Sequence, residues 1–137
     1  MKYILENHSE TAEWFIRIDD DAVLQWENLE KFLNGLDYNK PLFIGAPGKV
    51  RFCFRIIRPL ISGFGKHKED YIEEGMVFCM GGPGFILSRG MMKILKGKIN
   101  SCADRILTEH EDIEIGRCIW HLTGIVMVLK YLNYKLI

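Results

Sequence analysis

Trp14-Phe15-Ile16-Arg17-Ile18-Asp19-Asp20-Asp21 runs from bulky β-forming residues straight into three consecutive carboxylates. Its apolar part has the length of a short buried strand. Three like charges crowded at the tip are stable only where a cation or a helix N-terminus takes up the charge. One reading is a divalent metal site at the carboxyl end of a strand, where open α/β sheets place their ligands. The other has Asp20 or Asp21 capping the helix that follows, with its neighbours solvated in a turn.

Working outward, residues 2–12 carry a little helical periodicity and lead into the strand at 14–18. Beyond the acidic tip, Leu24, Trp26, Leu29, Phe32, Leu33 and Leu36 recur at three- and four-residue steps. That is the core-facing stripe of an amphipathic helix over 23–35, with Trp26 and Phe32 as core residues. Pro41-Leu42-Phe43-Ile44-Gly45 is a second short strand, closed by Ala46-Pro47-Gly48. Strand, helix, strand in this order predicts parallel strands joined by a crossover helix.

Further on, 77–80 reads as a strand, Gly81-Gly82-Pro83-Gly84 as a rigid turn that lets a ligand approach the backbone, and Phe85-Ile86-Leu87 as another strand piece. Ser88 is placed to cap a helix carrying Met91, Met92 and Leu95, with Gly97 just past its end. In the stretch from Thr108 to Cys118, Ile115, Ile119 and Leu122 define one face of a helix beginning near Asp112. Thr108 and Glu111 have capping-box spacing, and Asp112 suits the positive helix end. Every carboxylate there therefore has a structural explanation as well as a chemical one.

The length allows one domain with a modest core. Hydrophobic residues make up 48% and charged residues 26%, the balance of a globular chain. Lysines and arginines number 18, as do aspartates and glutamates, which argues against nucleic acid or an anionic membrane surface as the main partner. No apolar run has the length of a bilayer span, and the first residues do not form a signal peptide. Four cysteines (Cys53, Cys79, Cys102, Cys118) lack any CxxC spacing, which disfavours a zinc site and leaves their pairing open. Residues 49–68 stand apart as an atypical basic insertion: Lys49, Arg51, Arg55, Arg58, Lys66 and Lys68 precede any acidic residue. Such a run is either a solvated excursion or a cationic loop for a diphosphate or an acidic sugar.

Four of these pieces, in this order, resemble the β-1,3-glycosyltransferases, the family that includes the Fringe and core-1 galactosyltransferase enzymes. They are the Trp14-Phe15 strand ending in Asp19-Asp20-Asp21, the Pro41 to Gly45 strand, Phe78-Cys79-Met80-Gly81-Gly82-Pro83-Gly84, and His110-Glu111-Asp112-Ile113-Glu114-Ile115-Gly116-Arg117-Cys118. The last two versions look specifically like the N-terminal transferase domain of chondroitin sulfate synthases and the chondroitin polymerising factor.

The resemblance implies an α/β glycosyltransferase-A fold, Rossmann-like with a mostly parallel sheet. It also implies a UDP-sugar donor, a Mn2+ ion, a glycosaminoglycan acceptor, and a type II membrane enzyme facing the Golgi lumen, in which a second chondroitin synthase subunit is a possible partner. Carried over residue by residue, Asp19 and Asp21 are the outer members of the Asp-x-Asp motif. Asp21 would bind the metal, and Asp19 the ribose or the metal through water, with Asp20 between them among the cofactor-binding residues. Asp112 matches the catalytic base. Gly81, Gly82 and Gly84 match the loop lining the sugar site, and Cys102 and Cys118 match a disulfide bracing the base-bearing segment. Relative to the family, residues 1–137 read as a single partial domain whose N-terminal strands are missing and whose tail, 125–137, diverges. A non-catalytic polymerising-factor-like partner is the competing expectation from another class. A calcium module fits poorly, because the Asp run lacks the spacing and turn glycine of a calcium loop.

Overall fold

The computed structural model describes residues 1–46, 76 and 78–124. The basic insertion, Cys53, Val77 and the 125–137 tail therefore lie outside the described residues. The described elements, in chain order, are α1 (Lys2–His8), β1 (Trp14–Arg17), α2 (Trp26–Leu33), β2 (Phe43–Gly45), β3 (Phe85–Ser88), α3 (Arg89–Leu95), α4 (Ile99–Ala103) and α5 (Glu111–Thr123). No helix among the described residues is long and apolar enough to cross a membrane.

The sheet corrects the expectation of mostly parallel pairing. Its order is β1-β3-β2, and both pairings are antiparallel. β1 and β2 do run in the same direction with α2 between them, as the crossover reading requires. They are not neighbours, because β3 lies between them and runs the other way. In register, Ile16 faces Ile86 and Ile86 faces Ile44, while Phe15, Leu87 and Phe43 form the adjacent row.

Alternation along the strands sends these rows to opposite faces. Phe43, Phe85 and Leu87 join Leu5 of α1, Met91, Met92 and Leu95 of α3, and Ile115, Cys118 and Ile119 of α5 in the larger core. Ile44 and Ile86 meet Leu29 and Leu33 of α2 on the other face, with Trp14, Ile16, Leu24 and Phe32 packed around them. Helices thus cover both faces of the sheet, and this is why its strands read as continuous apolar runs rather than as alternating ones.

α2 is shorter than its periodic stripe predicts, and Trp26 at its first turn is 59% exposed rather than part of the core. Of the expected 77–80 strand, the described residues keep a single bridging residue, Cys79, beside which the Met80 N–H donates to the Ala46 carbonyl at 2.8 Å. The Ser88 cap holds. Ser88 Oγ accepts from Met91 N–H at 3.1 Å and from Leu42 N–H at 2.9 Å, and donates to the Lys40 carbonyl at 2.6 Å. One fully buried hydroxyl therefore ends β3, starts α3 and anchors the approach to β2.

Candidate active site

β1 ends at Arg17, and Asp19, Asp20 and Asp21 follow in a turn closed by Ala22 N–H donating to the Asp19 carbonyl at 3.2 Å. The residue capping α2 is Gln25, so neither Asp20 nor Asp21 caps that helix. Both are exposed, and their side chains make no hydrogen bond or ion pair among the described residues. Helix capping is thereby removed as the explanation of the acidic tip, while its solvation in a turn stands.

Asp19 behaves differently. Its carboxylate accepts from Arg17, the only charged side chain in β1. The same guanidinium donates through Nη1 to the Gly81 carbonyl at 3.0 Å and through Nη2 to Glu111 Oε2 at 3.0 Å. Burial alone would lower its pKa, but the Glu111 and Asp19 carboxylates outweigh that and raise it, so Arg17 is cationic at every working pH.

Across from the strand tip, Asp112 lies in the first turn of α5. Its Oδ1 accepts from Ile113 N–H at 2.9 Å, and its Oδ2 accepts from Gly81 N–H at 2.9 Å. A carboxylate is favoured there because the first N–H groups of a helix lack intrahelical acceptors and carry partial positive charge. Asp19 and Asp112 therefore belong to one locality, joined through Gly81 and Arg17.

The glycine loop is cramped at its ends and open in its middle. A Cβ on Gly81 would lie 3.1 Å from Arg17 Nη1 and 3.5 Å from Asp112 Oδ2. Gly84, at φ +82°, would put a Cβ 2.7 Å from the Arg17 carbonyl oxygen. Gly82 is exposed, with nothing within 4 Å of an added Cβ, which leaves room for a ligand against the backbone. Beneath the loop, Cys79 is a fully buried thiol, pushed well above its ordinary pKa of 9.0 by burial and by the charge of Asp112.

The segment ahead of α5 is braced in two ways. Cys102 of α4 and Cys118 of α5 form a disulfide with Cα atoms 5.5 Å apart, the pairing that the resemblance implied. The capping box expected from Thr108 and Glu111 does not form. Thr108 N–H donates instead to Glu114 Oε1 at 3.0 Å, and Glu111 turns to Arg17. Glu114 also holds the buried Arg117, at 3.2 Å from both Nε and Nη2. A pocket of about 270 Å³ lined by Ile106, Leu107, Thr108 and Glu109 opens on this segment, away from the partners of Arg17. Among the described residues, no group of three or more His, Cys, Asp and Glu side chains converges on one point.

A Fringe-like family model matches residues 1–133. The chain belongs to the Fringe-like family. This Fringe-like domain is 36% identical over 131 residues to chondroitin sulfate synthase 3 of Homo sapiens, covering 96% of this chain and 14% of that protein. It is 27% identical over 117 residues to glycoprotein-N-acetylgalactosamine 3-beta-galactosyltransferase 1 of Xenopus laevis, covering 84% of this chain and 26% of that protein. To chondroitin sulfate glucuronyltransferase of Homo sapiens it is 25% identical over 121 residues, covering 87% of this chain and 13% of that protein. The Fringe-like domain thus spans about one-seventh of the synthases it resembles.

Arg17 and Glu111 are the site residues that sequence patterning missed. The signal for Arg17 was a lone charge inside an apolar strand. Glu111 gave none beyond its place beside Asp112.

Proposed function

We propose that this domain belongs to an inverting hexosyltransferase that moves a sugar, glucuronic acid by its resemblance, from a UDP-sugar to the terminal N-acetylgalactosamine of a growing chondroitin chain. The observation that carries the reading is the union of two acidic elements, Asp19 at a strand end and Asp112 at a helix start, around Gly81. The enzyme works on the luminal side of the Golgi membrane, with a glycosaminoglycan as acceptor and a second chondroitin synthase subunit as partner.

The donor set fits a hard divalent cation such as Mn2+. Asp21 and Asp19 offer carboxylate oxygens, and Asp20 and Asp21 have no competing side-chain partner among the described residues. A cation that takes its remaining ligands from a diphosphate and water needs only one or two carboxylates from the protein. When bound, it supplies positive charge to offset what builds on the departing UDP. Asp19 lies between two roles, because its present partner is Arg17.

Asp112 is the general base. Its Oδ1 is held by its own helix and its Oδ2 by Gly81, so the carboxylate is oriented before an acceptor arrives. It takes the proton from the acceptor hydroxyl as that oxygen attacks the anomeric carbon, in one displacement with inversion. Gly81, Gly82 and Gly84 keep the loop low enough for the donor sugar to lie against backbone. Gly81, which is buried, covers the Oδ2 side of the carboxylate.

In the full-length enzyme carrying this domain, Asp112→Asn is expected to lower transfer by roughly 10²–10⁴-fold, and Asp21→Asn to weaken manganese-dependent UDP binding. Normal turnover by the Asp112→Asn enzyme would remove the base assignment. Calorimetric titration of this chain with UDP and manganese distinguishes a donor-binding domain from a non-catalytic partner. The first gives metal-dependent heat and the second gives none.

A further inference from the structure

Arg17 serves three segments with one side chain. It is 31% exposed, and its fork reaches the Asp19 carboxylate, the Gly81 carbonyl and Glu111 Oε2. Two of these acceptors flank Asp112. Gly81 donates its own N–H to Asp112 Oδ2, and Glu111 is the residue next to it in the chain. The Gly81 backbone is packed between guanidinium and carboxylate, where an added Cβ would press on Arg17 Nη1 at 3.1 Å and touch Asp112 at ordinary contact distance. The helix itself supplies only the Ile113 N–H to the other carboxylate oxygen.

We propose that Arg17 is the positioning residue for Asp112: it clamps Gly81 on one side and Glu111 on the other, so the direction of the carboxylate is set from β1 as well as from α5. The catalytic consequence rests on the reading of Asp112 as the base, whereas the clamp itself does not. A planar guanidinium is needed, because it presents donors at fixed angles to acceptors on separate segments, and a lysine ammonium is a single point. The third branch, to Asp19, ties the same clamp to the acidic tip.

The clamp is tested on this chain by amide hydrogen exchange. In Arg17→Met and Arg17→Lys the Gly81 amide is expected to exchange about tenfold faster, with Ile86 and Leu87 in β3 unchanged, since a charge-assisted hydrogen bond next to it has gone. Should the β3 amides accelerate equally, Glu111→Ala decides the matter. It removes one branch from the helix side, and an unaltered Gly81 amide in that variant overturns the proposal. The catalytic consequence is read in the full-length enzyme, where Arg17→Lys should reduce kcat about tenfold or more while donor KM stays within about twofold. A raised KM with intact kcat would overturn it, because Arg17 would then serve donor binding alone. If Asp112→Asn turns over normally, the base reading fails, and the exchange result still decides whether the clamp exists.

Discussion

Ser88 Oγ receives N–H groups from Leu42 and Met91 and gives its own proton to Lys40, all without exposure to water. Ser88→Ala removes a helix cap and leaves a β2-side amide without its acceptor. The expected loss, measured by urea unfolding, is about 2–3 kcal/mol. Gly84 is equally intolerant for a different reason. Gly84→Ala forces a Cβ into a left-handed backbone and against the Arg17 carbonyl, costing at least about 2 kcal/mol in the same measurement. Cys79 adds a pH dependence whose sign follows from its raised pKa. Below the ordinary thiol value of 9.0 the folded and unfolded chains both carry the proton, and its contribution is fully present. Above that value the unfolded chain releases the proton first, so stability falls as pH climbs. Cys79→Ala should flatten this alkaline limb in unfolding curves collected across that range. At this scale the sequence showed the Ser88 cap and the place of Asp112 at a helix start, because both follow from local spacing. Arg17 was not legible, because its partners Gly81 and Glu111 lie 64 and 94 residues away.

Among the elements, α5 depends most on long-range bracing. The bridge between Cys102 and Cys118 closes a short loop that contains the whole approach to Asp112. Reduction, or Cys102→Ser with Cys118→Ser, should lower unfolding stability by about 3 kcal/mol, as expected for a loop near 15 residues. Thermal melts with and without reductant would show it. Helix positions could be read from periodicity, since α2 and α3 fall inside their predicted stripes and α5 starts one residue ahead of Asp112. Trp26 was misjudged because a three- and four-residue repeat does not mark where a helix begins. With α2 starting at Trp26 itself, that side chain has no preceding turn to carry it over the core. The Thr108 and Glu111 spacing misled for a related reason. Glu111 had a better partner in Arg17, and Glu114, three residues on, took the Thr108 amide.

For the whole molecule, the sequence yielded an α/β fold and the direction of two strands but not the order of the three described ones. A crossover helix fixes handedness and direction between β1 and β2 without saying whether another strand lies between them. β3 does so through residues far along the chain, and local pattern cannot reveal such a pairing. Among the described strands, β1 and β2 each pair with β3 alone, so the pair is joined only once Phe85 to Ser88 is in place. A chain ending ahead of Phe85 would hold β1 and β2 without the strand that joins them, so circular dichroism on heating should drift without a cooperative step.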